Sequence, residues 1–420
     1  MSSFKARLSY ILLCLLICTI SVNSTLAQQQ RLSGRITDTK GKPLPFVTLG
    51  LQKKLLGVVS NENGEFDLFY PAEASTDTLL INAFGYEKKV VALQQLVSPV
   101  QLQLKEAALE IEEVQVFAMP PEHYIKMAVR NIVANYPAQP FETVGYYREI
   151  LKENQQFVQS DEAVFKTYYP AYLDTIRNQD QLLLWRRADD LKELAFMNRE
   201  HKKKKNRAEN DTTKKKQGFS IDASTLSGPQ AILQSSKLSS NSWHFLDTNK
   251  FRRYEFAFEK PSAYSGNSIM VISFKSKGKV DHLREKGLIY LDNRDFAIVK
   301  IENSGDFVIP VIVRPILFVA GLAVTNPIYA RTIEFREAGG KWYPQNIQID
   351  VKVDLTKRYL FNPNEHAKLE VQQLFTVSRL RVSDAKTIPH QKRYDYHKEI
   401  EEQIYNDEGI SWAELNIIKK

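Results

Sequence analysis

Ile347-Gln348-Ile349-Asp350-Val351-Lys352-Val353-Asp354-Leu355 carries an apolar side chain at every odd position and a polar one at every even position. Successive side chains of an extended chain point to opposite faces, so this period of two predicts an antiparallel strand with one buried face and one wet face. The same pattern recurs upstream. Tyr254, Phe256 and Phe258 alternate with Glu255, Ala257 and Glu259, and Met270, Ile272 and Phe274 alternate with Val271, Ser273 and Lys275. Gly287–Leu291 and Phe296–Glu302 flank Asp292-Asn293-Arg294-Asp295 as a hairpin. Residues 141–390 therefore read as an α+β domain built on a large curved antiparallel sheet, and the chain as mainly β. The apolar face of such a sheet needs a cover: closure, curling around a filling, or a helix laid across the concave side.

Residues 31–105 read differently. Seven short strands follow one another near Leu32–Asp38, Leu44–Leu51, Lys54–Ser60, Glu65–Tyr70, Thr78–Phe84, Tyr86–Ala92 and Val100–Leu104, as in a small β-sandwich. Lys40-Gly41-Lys42-Pro43 closes the first connection, and Asn63-Gly64 suits a tight hairpin that needs positive φ. Between the two domains, residues 106–140 form a connector with a strand at Ile111–Phe117 and then a helix. Pro121 sits at the helix's first turn, Ile125, Val129, Ile132, Val133 and Tyr136 share a face, and Pro137 stops it.

Two resemblances rest on particular phrases. Gly34-Arg35-Ile36-Thr37-Asp38, Gly41-Lys42-Pro43-Leu44-Pro45-Phe46-Val47, Val59-Ser60-Asn61-Glu62-Asn63-Gly64-Glu65-Phe66 and Leu79–Phe84 leading into Gly85-Tyr86 resemble, in that order, the carboxypeptidase regulatory-like domain. The resemblance implies a transthyretin-like (prealbumin-like) sandwich without catalytic residues, an accessory to peptidases that also stands at the N-terminus of envelope proteins such as TonB-dependent receptors. Gly287-Leu288-Ile289-Tyr290-Leu291-Asp292, Phe296–Glu302 and Gly340-Lys341-Trp342-Tyr343-Pro344 are similar to LolA/LolB-like lipoprotein-sorting domains. That similarity implies an open half-barrel whose concave face holds acyl chains.

Compartment follows from the first 27 residues. Lys5 and Arg7 precede an apolar run from Tyr10 to Ile20, and Thr25-Leu26-Ala27 offers the small side chains of a signal-peptidase site, with cleavage between Ala27 and Gln28. The expected protein is exported, to the periplasm or the outer membrane. Both cysteines, Cys14 and Cys18, lie in this leader, so the mature chain has no disulfide or thiolate metal site. The formal charge of +8 becomes +6 without Lys5 and Arg7, and Arg199–Lys216, with nine bases against three acids, accounts for all of it. The pI of 9.1 thus describes a local tract and not a surface built for polyanions, and no nucleic-acid partner is expected. Residues 199–217 read as a solvated basic loop; a grip on phosphates or anionic lipid headgroups is the alternative.

Three further segments bear on function. Phe307–Val324 has Arg314 as its single charge, but Pro310 and Pro315 argue against a membrane span. It is either a buried strand and helix filling the sheet's hollow or a flap in contact with lipid. On the second reading Ile312, Ile316, Phe318 and Val319 are ligand-binding residues. His282 and Glu285 have the His-x-x-Glu spacing of a zinc carboxypeptidase, but they lie in a hairpin connection without a third ligand, and the pair is rejected as a metal site in favour of a polar turn. No nucleophile elbow, phosphate loop or dinucleotide fingerprint is present, so no catalytic residue, cofactor or metal is assigned. Residues 391–420 read as a charged helical tail. The function expected is non-catalytic: an apolar ligand such as lipid, or a protein partner of the envelope, held on the curved sheet, with peripheral membrane contact. The alternatives are a metallocarboxypeptidase-related hydrolase and a structural or assembly factor of TonB-type outer-membrane systems.

Overall fold

The structure is a computed structural model that describes residues 29–107, 118–170, 172–173, 176–189, 191–192, 195–196, 228–238, 243–309, 314–398, 400–403, 411–412 and 415–419. The leader with its Ala27/Gln28 site, the strand Ile111–Phe117, the basic tract 199–217 and Ile312 lie outside these residues, as does the side chain of Ile316.

The N-terminal strands are β1 (Gln29–Asp38), β2 (Thr48–Leu51), β3 (Gly57–Val59), β4 (Glu65–Pro71), β5 (Thr78–Asn82), β6 (Lys89–Ala92) and β7 (Val100–Leu104). They form two sheets, β4-β1-β7 and β3-β2-β5-β6, with β1 and β7 parallel. Leu32, Ile36, Leu49, Phe66, Leu68, Leu79 and Ile81 fill the space between the sheets, every second residue of each strand, as the pleat requires. Asn63-Gly64 does not close a hairpin, because β3 and β4 belong to different sheets. The Asn61 carboxamide oxygen instead accepts the Asn63 and Glu65 N–H groups (3.0 and 2.8 Å) and folds the chain across the sandwich edge. Gly64 is obligatory there: φ is +75° and a Cβ would stand 2.3 Å from the Ile36 carbonyl oxygen. The second strand starts later than its apolar run suggests, since Phe46 has φ 57° and breaks the extension.

Helix α1 (Pro121–Asn135) leads into the long sheet. Its strands are β8 (Phe141–Glu153), β9 (Gln156–Tyr169), β10 (Gln179–Arg187), β11 (Tyr254–Phe258), β12 (Ser262–Tyr264), β13 (Asn267–Ser276), β14 (Leu283–Asp292), β15 (Ile298–Phe307), β16 (Leu322–Ala338), β17 (Lys341–Lys357) and β18 (Glu365–Arg381). The spatial order is β10-β9-β8-β18-β17-β16-β15-β14-β13-β11, with β12 also on β13. Register places Phe258, Ile272, Ile289, Ile301, Ile333, Ile347, Phe375, Tyr147 and Ala163 side by side, one apolar row across nearly the whole sheet.

That row is covered by the chain itself. Ile125 and Ala128 of α1, Ile232 and Leu233 of α2 (Pro229–Gln234), and Trp243, Phe245 and Phe251 pack into the same cluster, and Phe245 stacks on Phe274 at 3.8 Å. The aromatic side of the sheet over these strands is therefore filled and not an open receptacle. Val133 is 69% exposed, because one residue past Ile132 turns a helical side chain about 100° away from the packed stripe. The expected tail helix from residue 391 is not formed in the described residues, which make 3₁₀ turns at His390–Lys392 and Ile400–Glu402. Its polar groups are engaged elsewhere: Tyr394 N–H donates to the Asp180 carbonyl, the Asp395 carboxylate accepts the His397 N–H, and the Gln403 amide brackets Asp395.

The sandwich packs on the other face of the sheet. Phe84 stacks on Tyr264 with ring centroids 4.1 Å apart, Lys300 lies 4.7 Å over its ring, and Val59 joins Tyr146, Leu374 and Ile418 in a separate cluster.

Candidate functional site

Strand β14 begins at Leu283, four residues before the apolar run that marks it in the sequence, and this pulls the His-x-x-Glu pair apart. His282 stands in the preceding turn at φ 69° and is exposed, whereas Glu285 is 2% exposed on the covered face. The Glu285 carboxylate accepts from the Tyr254 hydroxyl (2.6 Å), the Tyr329 hydroxyl (3.1 Å) and the Asn303 amide (3.2 Å). Arg331 completes the group: its Nε donates to Asn303 Oδ1 at 3.1 Å and its guanidinium lies 3.6 Å over the Trp243 ring. Burial pushes the Arg331 pKa down to about 10, against the pull of Tyr329 and Glu285. Glu285 is thus not part of a polar turn; it is a buried carboxyl group held by donors from three strands. His244 Nδ1 comes within 3.8 Å of it. Among the described residues no group of three or more His, Cys, Asp or Glu is placed to hold a metal ion.

The far ends of β16, β17 and β18 carry a different surface. Val353, Leu355, Ala367 and Leu369 continue the apolar face, and with Phe196, Leu317 and Leu322 they form a second cluster. From Ile347, a buried member of the first cluster, to Val353, the nearest buried member of this one on β17, is about 20 Å at ~3.4 Å per strand residue, so the two clusters are distinct along the strand. Its cover is the single turn and a half of α3 (Arg314–Val319), which turns Leu317 inward. Phe318 and Val319 point outward, 74% and 87% exposed. The turn between β17 and β18 reaches the same edge and exposes Leu360 (93%) and Phe361 (95%). Polar bonds tie the two tips together: Arg358 N–H donates to the Gly321 carbonyl at 2.7 Å, and Lys357 Nζ to the Ala320 carbonyl at 2.7 Å. Of the expected ligand residues, Phe318 and Val319 are therefore solvent-facing at a strand-end tip and do not line a hollow. Leu360 and Phe361, their neighbours across the edge, carry no sequence periodicity that singles them out. No helix among the described residues is long and apolar enough to cross a membrane.

A polar cavity of about 210 Å³ is lined by Glu149, Asp161, Arg187, Tyr147, Tyr394 and Tyr396. Its carboxylates are bonded within the cavity, Asp161 to a cation and Glu149 to neutral donors. Arg187 grips Asp161 through Nε (2.6 Å) and Nη2 (2.8 Å), and Glu149 accepts from Tyr147, Gln373 and the Gly228 N–H.

This geometry defines a class: a two-module, mainly β protein, with a small sandwich docked on one face of a long antiparallel sheet. Residues 32–116, the sandwich and the first part of the connector, match the family model described as a CarboxypepD_reg-like domain. The search of curated proteins gave no match. Among solved structures, the chain is similar to a putative outer membrane lipoprotein-sorting protein domain from Vibrio parahaemolyticus, at 11% identity, 63% of this chain, 94% of that one and a TM-score of 0.26. It is also similar to a DUF1329 family protein from Desulfovibrio piger, at 9% identity, 64% of this chain, 95% of that one and a TM-score of 0.27. A putative membrane-associated protein of unknown function from Bacteroides fragilis shares 10% identity over 84% of this chain and 98% of its own, with a TM-score of 0.15. TM-scores this low give none of these likenesses any bearing on ligand or activity.

Proposed function

We propose that the chain is an exported, non-catalytic envelope protein that binds an acyl-type apolar ligand at the strand ends of its long sheet, while the sandwich positions it against a protein partner. One observation carries this reading: the apolar face that α1 and α2 cover in the middle of the sheet continues to an edge where Leu317 of α3 is turned inward and Phe318 and Val319 stand in solvent. Soluble proteins seldom leave such side chains grouped without a use for them. The carboxypeptidase-type sandwich supports a tethering role, since the family it resembles uses it as an accessory module with no chemistry of its own. Phe318 and Val319, with Ile312 and Ile316 of the same segment, are the proposed ligand contacts.

The test is binding of cis-parinaric acid, a fatty acid that fluoresces when desolvated, alongside native mass spectrometry of the protein purified from the envelope fraction. Saturable fluorescence is expected, weakened roughly ten-fold or more in Phe318→Ser/Val319→Ser, together with a labile adduct of lipid mass. A protein that takes up no fatty acid and carries no adduct refutes the reading, and crosslinks to envelope proteins alone would point to an assembly factor.

A further inference from the structure

We propose that the tip formed by α3 and the β17–β18 turn docks on the interface of an anionic lipid bilayer, inserting Phe318, Val319, Leu360 and Phe361 between the headgroups. This rests on the strand ends being a lipid contact, and it names the surface they meet. The four side chains are large, apolar and 74–95% exposed, and they come from two loops that hydrogen bonds hold at one edge. A flat apolar patch suits a protein partner. Single side chains projecting from adjacent loop ends suit a surface that yields around them, where each gains by leaving water without needing a shaped pocket. Tyr359 adjoins Leu360, an aromatic with a polar end of the kind that settles at headgroup depth.

Charge selects the lipid. Arg314 and Arg358 are exposed at the bases of the two loops, and residues 314–321 and 358–364 contain no acid. Basic side chains around an apolar insertion attract phosphatidylglycerol or another acidic headgroup, and salt weakens the attraction.

The experiment is flotation of the full mature chain with vesicles of phosphatidylcholine alone and with a third of phosphatidylglycerol, at low and high salt. Binding is expected to the acidic vesicles, roughly ten-fold above the neutral ones, and to fall with salt. Leu360→Ser/Phe361→Ser is expected to lose roughly ten-fold or more of it with the circular dichroism spectrum unchanged, since both side chains lie in solvent. Arg314→Glu/Arg358→Glu is expected to reduce the preference for acidic vesicles while leaving fatty-acid binding intact. Equal binding of wild type and Leu360→Ser/Phe361→Ser to both vesicles overturns the proposal, as does a dimer in solution that the serine variant abolishes, which would assign the tip to a second copy of the chain. If flotation fails while cis-parinaric acid still binds, the docking falls and the proposed function stands; if both fail, both fall.

Discussion

Glu149 shows how a buried carboxylate can be fully bonded and still hold its proton more tightly than in water. Gln373, Tyr147 and the Gly228 N–H all favour the anion, yet burial outweighs them and raises the pKa above the ordinary 4.5. Asp180 is shifted in the same direction by the same cause, against Tyr396, Thr167 and Gln234. A group whose folded-state pKa is raised stabilises the fold fully below its unfolded value and loses that contribution as pH rises through the folded one. Glu149→Gln is therefore expected to flatten the fall in stability above pH 4.5, so that wild type holds its greatest advantage at the acidic end. Thermal midpoints of both proteins from pH 4 to 8 check this, and parallel curves would show that Glu149 ionises as freely folded as unfolded. Neither carboxylate stands out in the sequence, because desolvation depends on Tyr394, Tyr396 and the residues around Gly228, which arrive from far along the chain.

At the scale of elements, the strand-end tip depends on Gly321. Its φ is +65° and a Cβ would stand 2.7 Å from the Arg358 carbonyl oxygen, so Gly321→Ala meets both an unfavourable backbone and a backbone neighbour that cannot swing away. The expected cost is about 1–3 kcal/mol, with amide exchange at Arg358 accelerated before that of the sheet. Exchange mass spectrometry showing β17 and β18 loosened equally along their length would contradict this. The long strands were legible because a period of two repeats over many residues, and the sandwich because its turn residues punctuate short apolar runs. The tip was half legible. Hydropathy marks Phe307–Val324, but Leu360 and Phe361 are two apolar residues in a turn with Asn362, Pro363 and Asn364, and only the pairing of Leu322 with Lys357 brings them beside α3. Glu285 reads as part of a turn for a related reason: Arg284, Glu285 and Lys286 hide the start of β14 from an apolar count, and only the partners Tyr254 and Tyr329 show which way its carboxylate faces. The tail's acidic and basic residues suit a helix locally, and tertiary hydrogen bonds override that preference.

For the whole molecule, the contact between sandwich and sheet decides whether the two modules unfold together. Phe84 is central to it, stacked on Tyr264 and edge-on to Tyr290 at 5.5 Å, with the Lys300 ammonium above its ring. Backbone pairing reinforces the seam where Leu56 bridges Arg379 and the Leu380 N–H donates to the Leu55 carbonyl. Phe84→Ala is expected to cost about 0.5–1.5 kcal/mol for each ring contact removed and to split one calorimetric transition into two, the sandwich melting first. A single sharp transition in the variant would place the coupling elsewhere.

Residues 411–412 and 415–419 are a further tie between the modules. The Asn416 carboxamide clasps the Phe69 peptide unit from both sides, accepting its N–H at 2.6 Å and donating to its carbonyl at 3.1 Å, across a sequence separation of 347 residues. Ile418 meets Val59 of the sandwich and Tyr146 of the sheet in the same cluster. Contacts between such distant parts of a chain form late, after each module has organised locally. These residues are therefore a second clasp: a competitor that captured Asn416 and Ile418 would strip one seam, while the Phe84 stack and the Leu380–Leu55 bond still held the sandwich on the sheet.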